Sequence, residues 1–376
     1  MSTLEASQIH FTSSRLLTLG VELELQLIDP KTLDLTPRSI DLLSEIGDHP
    51  YIVPEVMQSM LEIKTDICNN THEAELQLHD HLNLIKTAAQ KIGISFACAG
   101  THPTAKHWER QIYPLPRYKE LIDRNQFISR RLIIFGMHVH IGVRNGQECI
   151  DLMNEFLYEL PIFLALSASS PFWEGIDTGL ASSRVTIFEA IPTGGHPCQM
   201  KSWKDFETLI QVLSKAKSIN SYKDIWWDLR PSPNYGTLEI RICDGMPTLK
   251  ENMANVALIH CLASYYIDQL NVGNKREILP DWLIRENKWR ASRHGIEADL
   301  VTSIHGDSSS LKNITLELLE KLTPYFTKYH YTNYKTILLN AFKGYTSYQR
   351  QKDIFERTKS LNSVTKMLID EMDSSI

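Results

Sequence analysis

Blocks of basic residues are missing from this 376-residue chain, which carries 39 Lys and Arg against 45 Asp and Glu and a formal net charge of -6. Nothing in that balance recruits DNA, RNA or an anionic membrane, so no nucleic-acid or membrane partner is expected. Long apolar runs are missing too: the most apolar segment, Phe156 to Ala168, is broken by Glu159 and Pro161 and is too short to span a bilayer. Met1 to Thr18 shows no charged start followed by an apolar stretch, hence no secretory signal is expected. The six cysteines (Cys68, Cys98, Cys149, Cys198, Cys243, Cys261) form no C-x-x-C pair. That scatter suits neither a zinc knuckle nor a disulfide scaffold, and they read as reduced packing residues of a cytoplasmic protein. No phosphate-binding loop ending in Gly-Lys-Ser/Thr and no kinase-like Gly-rich loop occurs, so any nucleotide must be held through metal ions and Arg. Repeats, low-complexity tracts and obvious linkers are likewise missing. With 43% hydrophobic residues the core is ample, and one domain over 1–376 with a helical C-terminal segment from about 310 is expected.

What is present is alternation. In Leu19 to Ile28, Val21, Leu23, Leu25 and Leu27 alternate with Glu22, Glu24 and Gln26, the two-residue period of a strand with one apolar and one polar face. Similar strands are expected at Met60 to Thr65, Ile94 to Gly100, Phe135 to Val143, Arg184 to Phe188 and Thr237 to Cys243. Steps of three and four predict a helix over 71–92, with Thr71 as its cap and Gly93 as its stop, and further helices near 147–168, 204–219, 250–272, 310–323 and 350–373. Strands buried on both faces would be continuously apolar. The expected fold is therefore α+β, a mostly antiparallel sheet with helices on its apolar face and a ligand on the other.

Four strands concentrate chemistry on that other face. Glu22 and Glu24 leave one strand on the same side about 7 Å apart; taken alone, a solvated outer face explains them better. Glu62 lies opposite Leu61 and Ile63, with Glu55 and Gln58 just upstream. His138 and His140 share a face at the i, i+2 spacing at which two imidazoles converge on one cavity, and either is equally a hydrogen-bonded core histidine. Glu239 and Arg241 share a face as an ion pair, or as a cation-binding carboxylate beside a guanidinium that fixes a carboxylate or phosphate. Independent solvated strands would show Lys, Thr, Ser and Gln there, so the joint pattern favours an active site. A Glu-rich set with His and Arg suits hard Mg²⁺ and substrate phosphates better than it suits zinc.

Seven segments carry a resemblance: Gly20 to Glu24, Ser59 to Glu62, Gly100 to Pro103, His138 to Gly142, Ala181 to Arg184, Trp227 to Pro233 and Gly236 to Arg241. In this order, over about residues 18–295, the chain resembles the glutamate–cysteine ligase type 2 family. The resemblance implies a curved antiparallel sheet similar to the catalytic domain of glutamine synthetase. It also implies a reaction in which ATP phosphorylates the glutamate side-chain carboxylate and an amine, cysteine or another, attacks the acyl phosphate. Small-molecule substrates, two or more Mg²⁺ ions and ATP as co-substrate follow from it, and a homo-oligomer is the default expectation.

Carried over motif by motif, Glu22, Glu24, Glu62 and Glu239 resemble Mg²⁺ ligands, with His140 the favoured metal histidine. Glu55 stands where the family usually has an aspartate, and Gln58 where it commonly has another acid, which bears on the number of metals. Arg184 and Arg241 resemble anchors for the glutamate carboxylate or the γ-phosphoryl group. Arg230, Thr101 and His138 are pocket candidates, and Arg293 is a phosphate candidate. Two other readings remain: a metal-dependent hydrolase using His138 and His140, and a non-catalytic relative that binds an amino acid or nucleotide.

Overall fold

The computed structural model describes residues 9–277 and 279–376. Seven strands form its main sheet: β1 (Leu19–Ile28), β2 (Ile52–Pro54), β3 (Met60–Lys64), β4 (Ser95–Ala97), β5 (Met137–Gly142), β6 (Leu229–Ser232) and β7 (Thr237–Ile240). The order is β6-β7-β5-β1-β3-β2, with β4 also paired to β1. All of its pairings are antiparallel. The α+β expectation therefore holds.

Alternation in β1 is the reason for the layering. Val21, Leu23, Leu25 and Leu27 are buried, as are Leu61, Ile63, Val139, Ile141, Leu238 and Ile240 on the neighbouring strands. They pack with Leu78, Leu82 and Ile85 of helix Thr71–Ile92 and with Val256 and Ile259 of helix Leu249–Asn271 in one core cluster. The opposite face of β1 is polar only at its middle. At Gln26 it meets Met60 and Ala97 in register, and from there the face joins a second cluster containing Ile28, Phe135, Tyr118 and Phe188.

Several boundaries differ from expectation. Helix Thr71–Ile92 begins as read, but its cap is Asn70, whose side chain accepts from the Glu73 N–H; Gly93 ends it in the left-handed conformation. The segment 147–168 is two helices, Gly146–Phe156 and Leu160–Ser167, because Pro161 fits only the first turn of a new helix. The C-terminal pattern likewise divides into Ser347–Thr358 and Leu361–Ser374, around Lys359 at positive φ. Arg184–Phe188 is a helix and not a strand. Five residues carry too little period to separate the two, and Arg184, Val185, Ile187 and Phe188 are all buried, so no exposed face exists to alternate with. Cys198 is exposed, unlike the other five cysteines, and so is no packing residue. No described helix is long and apolar enough to cross a membrane.

Candidate active site

Strand register gathers the polar residues into one band. Across the sheet Arg230 faces Glu239, Glu239 faces His140, His138 faces Glu22, and Glu24 faces Glu62. Residues from five strands, two of them one hairpin, thus share a single surface, each held by the burial of its strand's other face.

At the β6–β7 end the charges are matched. Arg230 donates to both oxygens of Glu239, Nε to Oε2 at 2.9 Å and Nη2 to Oε1 at 3.1 Å, and Arg241 donates from its Nη1 to Oε1. Burial alone would raise Glu239, but the two guanidinium groups prevail and hold its carboxyl below the usual range. His140 Nδ1 lies 2.8 Å from the Thr237 hydroxyl, and its Nε2 sits 3.7 Å from Glu22 and 3.9 Å from Glu239.

At the β3–β2 end acids outnumber cations. Burial raises the Glu62 carboxyl well above its usual range, and the Glu22, Glu55 and Glu24 carboxylates add to the shift while Lys64 opposes it. Glu55 is pushed up to about 7 by burial and then by Glu24. Lys64 is the near counter-ion, with Nζ 2.7 Å from Glu62 and 3.9 Å from Glu22. Glu24 accepts from the Gly136 N–H. Glu22 behaves oppositely to Glu62: burial raises it, but hydrogen bonds from His138 and His140 keep it well below the ordinary carboxylate range.

Among the described residues, two groups of side chains bring ligand atoms within 4.8 Å of one another: Glu22, His138 and Glu239, and Glu24, Glu62 and His138. The shared corner is His138, whereas the family motif favours His140 as the metal histidine. His138 Nδ1 is 3.2 Å from Glu22, and burial, then Arg241, lowers the imidazole's pKa. A neutral ring donating from Nδ1 leaves a lone pair on Nε2. That Nε2 is buried and has no hydrogen-bond partner. Carboxylate oxygens that raise one another and one orphaned imidazole nitrogen fit a hard divalent cation. His140 is in neither group: Thr237 holds its Nδ1, and its Nε2 faces Glu22 and Glu239 from 3.7 and 3.9 Å.

Two buried arginines flank the band. Arg184 packs against Gly136, where a Cβ would come within 2.1 Å of its guanidinium and would force that group to shift. Its nitrogens donate to the Arg241 and Ile242 carbonyls at 3.3 Å, and Asp244 lies 4.0 Å away. The Phe188 ring lies 5.7 Å from both the Arg184 and the Arg241 guanidinium. Nε of each arginine is buried without a partner. Thr101 and Arg293 do not join the band: the Thr101 hydroxyl donates to the Phe172 carbonyl at 2.7 Å, and Arg293, exposed, donates to the Gly179 carbonyl. Gln58 donates to the Ile112 carbonyl at 3.2 Å.

The family model described as glutamate-cysteine ligase family 2 matches residues 18–337. The chain belongs to that family. A relative in Bdellovibrio bacteriovorus, provisionally named a glutamate–cysteine ligase 2, is 47% identical over 369 residues, covering 98% of each chain. One from Gloeobacter violaceus with the same provisional name is 43% identical over 318 residues, 83% of this chain and 84% of its own. Among solved structures, the glutamate–cysteine ligase of Francisella tularensis in complex with AMP superposes with a TM-score of 0.71 at 13% identity, over 96% of this chain and 90% of that one. At that identity the likeness is one of fold. Family membership makes the protein an ATP-dependent ligase.

Beside this ligase band lie charged residues that the sequence patterns passed over. Asp244, wholly buried, accepts from the Ser169 N–H and from the Ser170 and Ser182 hydroxyls, and a Cβ at Gly100 would come within 2.5 Å of it. Lys288 is buried and donates to Asp228 and Glu189, while the Asp228 carbonyl accepts from the Arg241 N–H at 2.7 Å. Both sit outside the alternating strands, where no period marks them.

Proposed function

We propose that the band carries the ATP- and Mg²⁺-dependent joining of the glutamate side-chain carboxylate to an amine through an acyl phosphate. The observation that carries this reading is the convergence on His138 of Glu22 with Glu239 and of Glu24 with Glu62, where the imidazole also keeps a buried Nε2 without a hydrogen-bond partner. Glu22, Glu24, Glu62, Glu239 and His138 would hold the ions, and Glu55 borders the acid-rich end. When bound, Mg²⁺ supplies charge neutralisation for phosphate oxygens and for the transferring phosphoryl group.

The remaining work falls to the chain's own groups. Arg184 and Arg241 each keep one unpartnered Nε–H, a donor suited to the glutamate carboxylate or to charge developing on the γ-phosphoryl oxygens. Arg230 and Arg241 fix the carboxylate of Glu239 in one orientation. Arg293, exposed beside the loop before Arg184, remains available for phosphate. The glutamate γ-oxygen attacks the terminal phosphorus of ATP and ADP leaves; the amine then attacks the acyl carbon, phosphate leaves, and the ammonium proton passes to solvent. No protein nucleophile takes part, so catalysis rests on positioning.

A mass-spectrometric screen of the purified protein with ATP, Mg²⁺, glutamate and a panel of amines tests this. A γ-glutamyl amide formed together with ADP is expected, with cysteine as one of the acceptors tried. ATP cleavage independent of glutamate and amine, or no product with any acceptor, overturns the reading.

A further inference from the structure

The two candidate ion positions differ in one respect: a lysine belongs to one of them. Lys64 lies on β3 directly opposite Glu22, and its side chain reaches Glu62 at 2.7 Å and Glu22 at 3.9 Å. Glu62 belongs to the group Glu24, Glu62 and His138, whereas Glu239 in the other group is neutralised by Arg230 and Arg241. Those arginines bind both oxygens of Glu239 directly. Lys64 is a flexible side chain about one-third exposed, free to swing into water. Burial disfavours its charge, yet Glu62 and Glu22 more than offset this and hold the ammonium firmly protonated. The other cation of that region, Arg117, bonds to Tyr118 and lies toward Glu55.

We propose that Lys64 is a tethered counter-ion that the divalent cation at Glu24, Glu62 and His138 must displace. It keeps the acid-rich end tolerable before metal arrives, and it weakens cation binding there. This rests on the metal reading given above. At Glu22, His138 and Glu239 the competing cations are Arg230 and Arg241, which hold both Glu239 oxygens, so the effect of Lys64 falls mainly on the Glu62 position.

Calorimetric titration of nucleotide-free protein with Mn²⁺, as a spectroscopically convenient stand-in for Mg²⁺, reads this out without turnover. The wild type is expected to bind in two phases. In Lys64→Met the phase that Glu62→Gln removes should tighten about tenfold, the scale set by removing one partly screened unit charge near 4 Å, while the other phase stays in place. Lys64→Arg, which keeps the charge, should leave both phases where they are, and Lys64→Gln replaces the Met variant if circular dichroism shows that variant unfolded. A Glu62-dependent phase unchanged or weakened by charge removal overturns the role of Lys64 and leaves the ion positions standing. No Mn²⁺ bound by the wild type, with Glu22→Gln indistinguishable from it, removes the ion positions themselves.

Discussion

At one end of the polar band Glu239 sits between two guanidinium groups, while at the other Glu62 and Glu55 face further carboxylates with one close ammonium. The side chain is the same and both places are buried, yet the Glu239 carboxyl is held below its ordinary range and that of Glu62 well above it. Burial penalises a carboxylate everywhere; what differs is whether the sheet supplies cations to match. The matched end carries its own cations. The unmatched end holds a charge excess that a divalent ion would relieve.

The sharpest way to break this comparison is to neutralise one acid at each end. Glu239→Gln leaves Arg230 and Arg241 facing a neutral amide in a buried site, and a loss of roughly 3–5 kcal/mol in urea unfolding is expected, the usual cost of breaking a buried pair. Glu62→Gln removes repulsion and should leave metal-free stability within about 1 kcal/mol of wild type or slightly above it. Equal losses for both variants would show that the ends do not differ.

Next in size is the effect of the ion. Mg²⁺ at 100 times its Kd should stabilise the folded protein by about 2.7 kcal/mol per site, seen as a rise in Tm that shrinks in Glu62→Gln. An unchanged melting curve at saturating Mg²⁺ would contradict the fit of this donor set.

The pH dependence comes third. Glu55, raised from 4.5 to about 7, binds its proton more tightly when folded. Its contribution to stability is therefore full below about 4.5 and is lost as pH rises toward 7. Glu239 is depressed and works the other way: its contribution is present above the usual carboxylate range and fades as pH falls. Metal-free wild type should thus lose stability between these pH values through the unmatched end, and Glu55→Gln should flatten that slope in denaturant melts. The smallest effect belongs to a control outside both ends. Lys366 and Asp370 form an exposed pair one helical turn apart, and Lys366→Ala should change stability by less than about 0.5 kcal/mol.

Legibility in the sequence followed burial on one side. Strand β1 was readable because Val21, Leu23, Leu25 and Leu27 face one core while Glu22, Glu24 and Gln26 between them are polar. Helix Thr71–Ile92 was readable for the same reason at a different period. Arg184 reads as a strand residue and lies on a helix, because every neighbour in the segment but Thr186 is buried and no alternation survives. His138 and His140 share a face and a spacing, and nothing in the sequence ranks them. Their ranking depends on what each meets across the sheet: Glu22 beside His138, the Thr237 hydroxyl beside His140. Asp244 and Lys288 left no periodic trace, since each is a buried charge satisfied by groups far away in the chain.

The sequence by itself determined which residues of each strand point away from the core, because a period of two leaves only one face free when the other is apolar. It also carried the family, through motifs whose order survives without coordinates. Only the tertiary structure decided which carboxylates meet arginines and which meet one another. Register between strands remote in sequence sets those neighbours, and a charge buried at a few ångströms from another responds to that neighbour more than to its own segment.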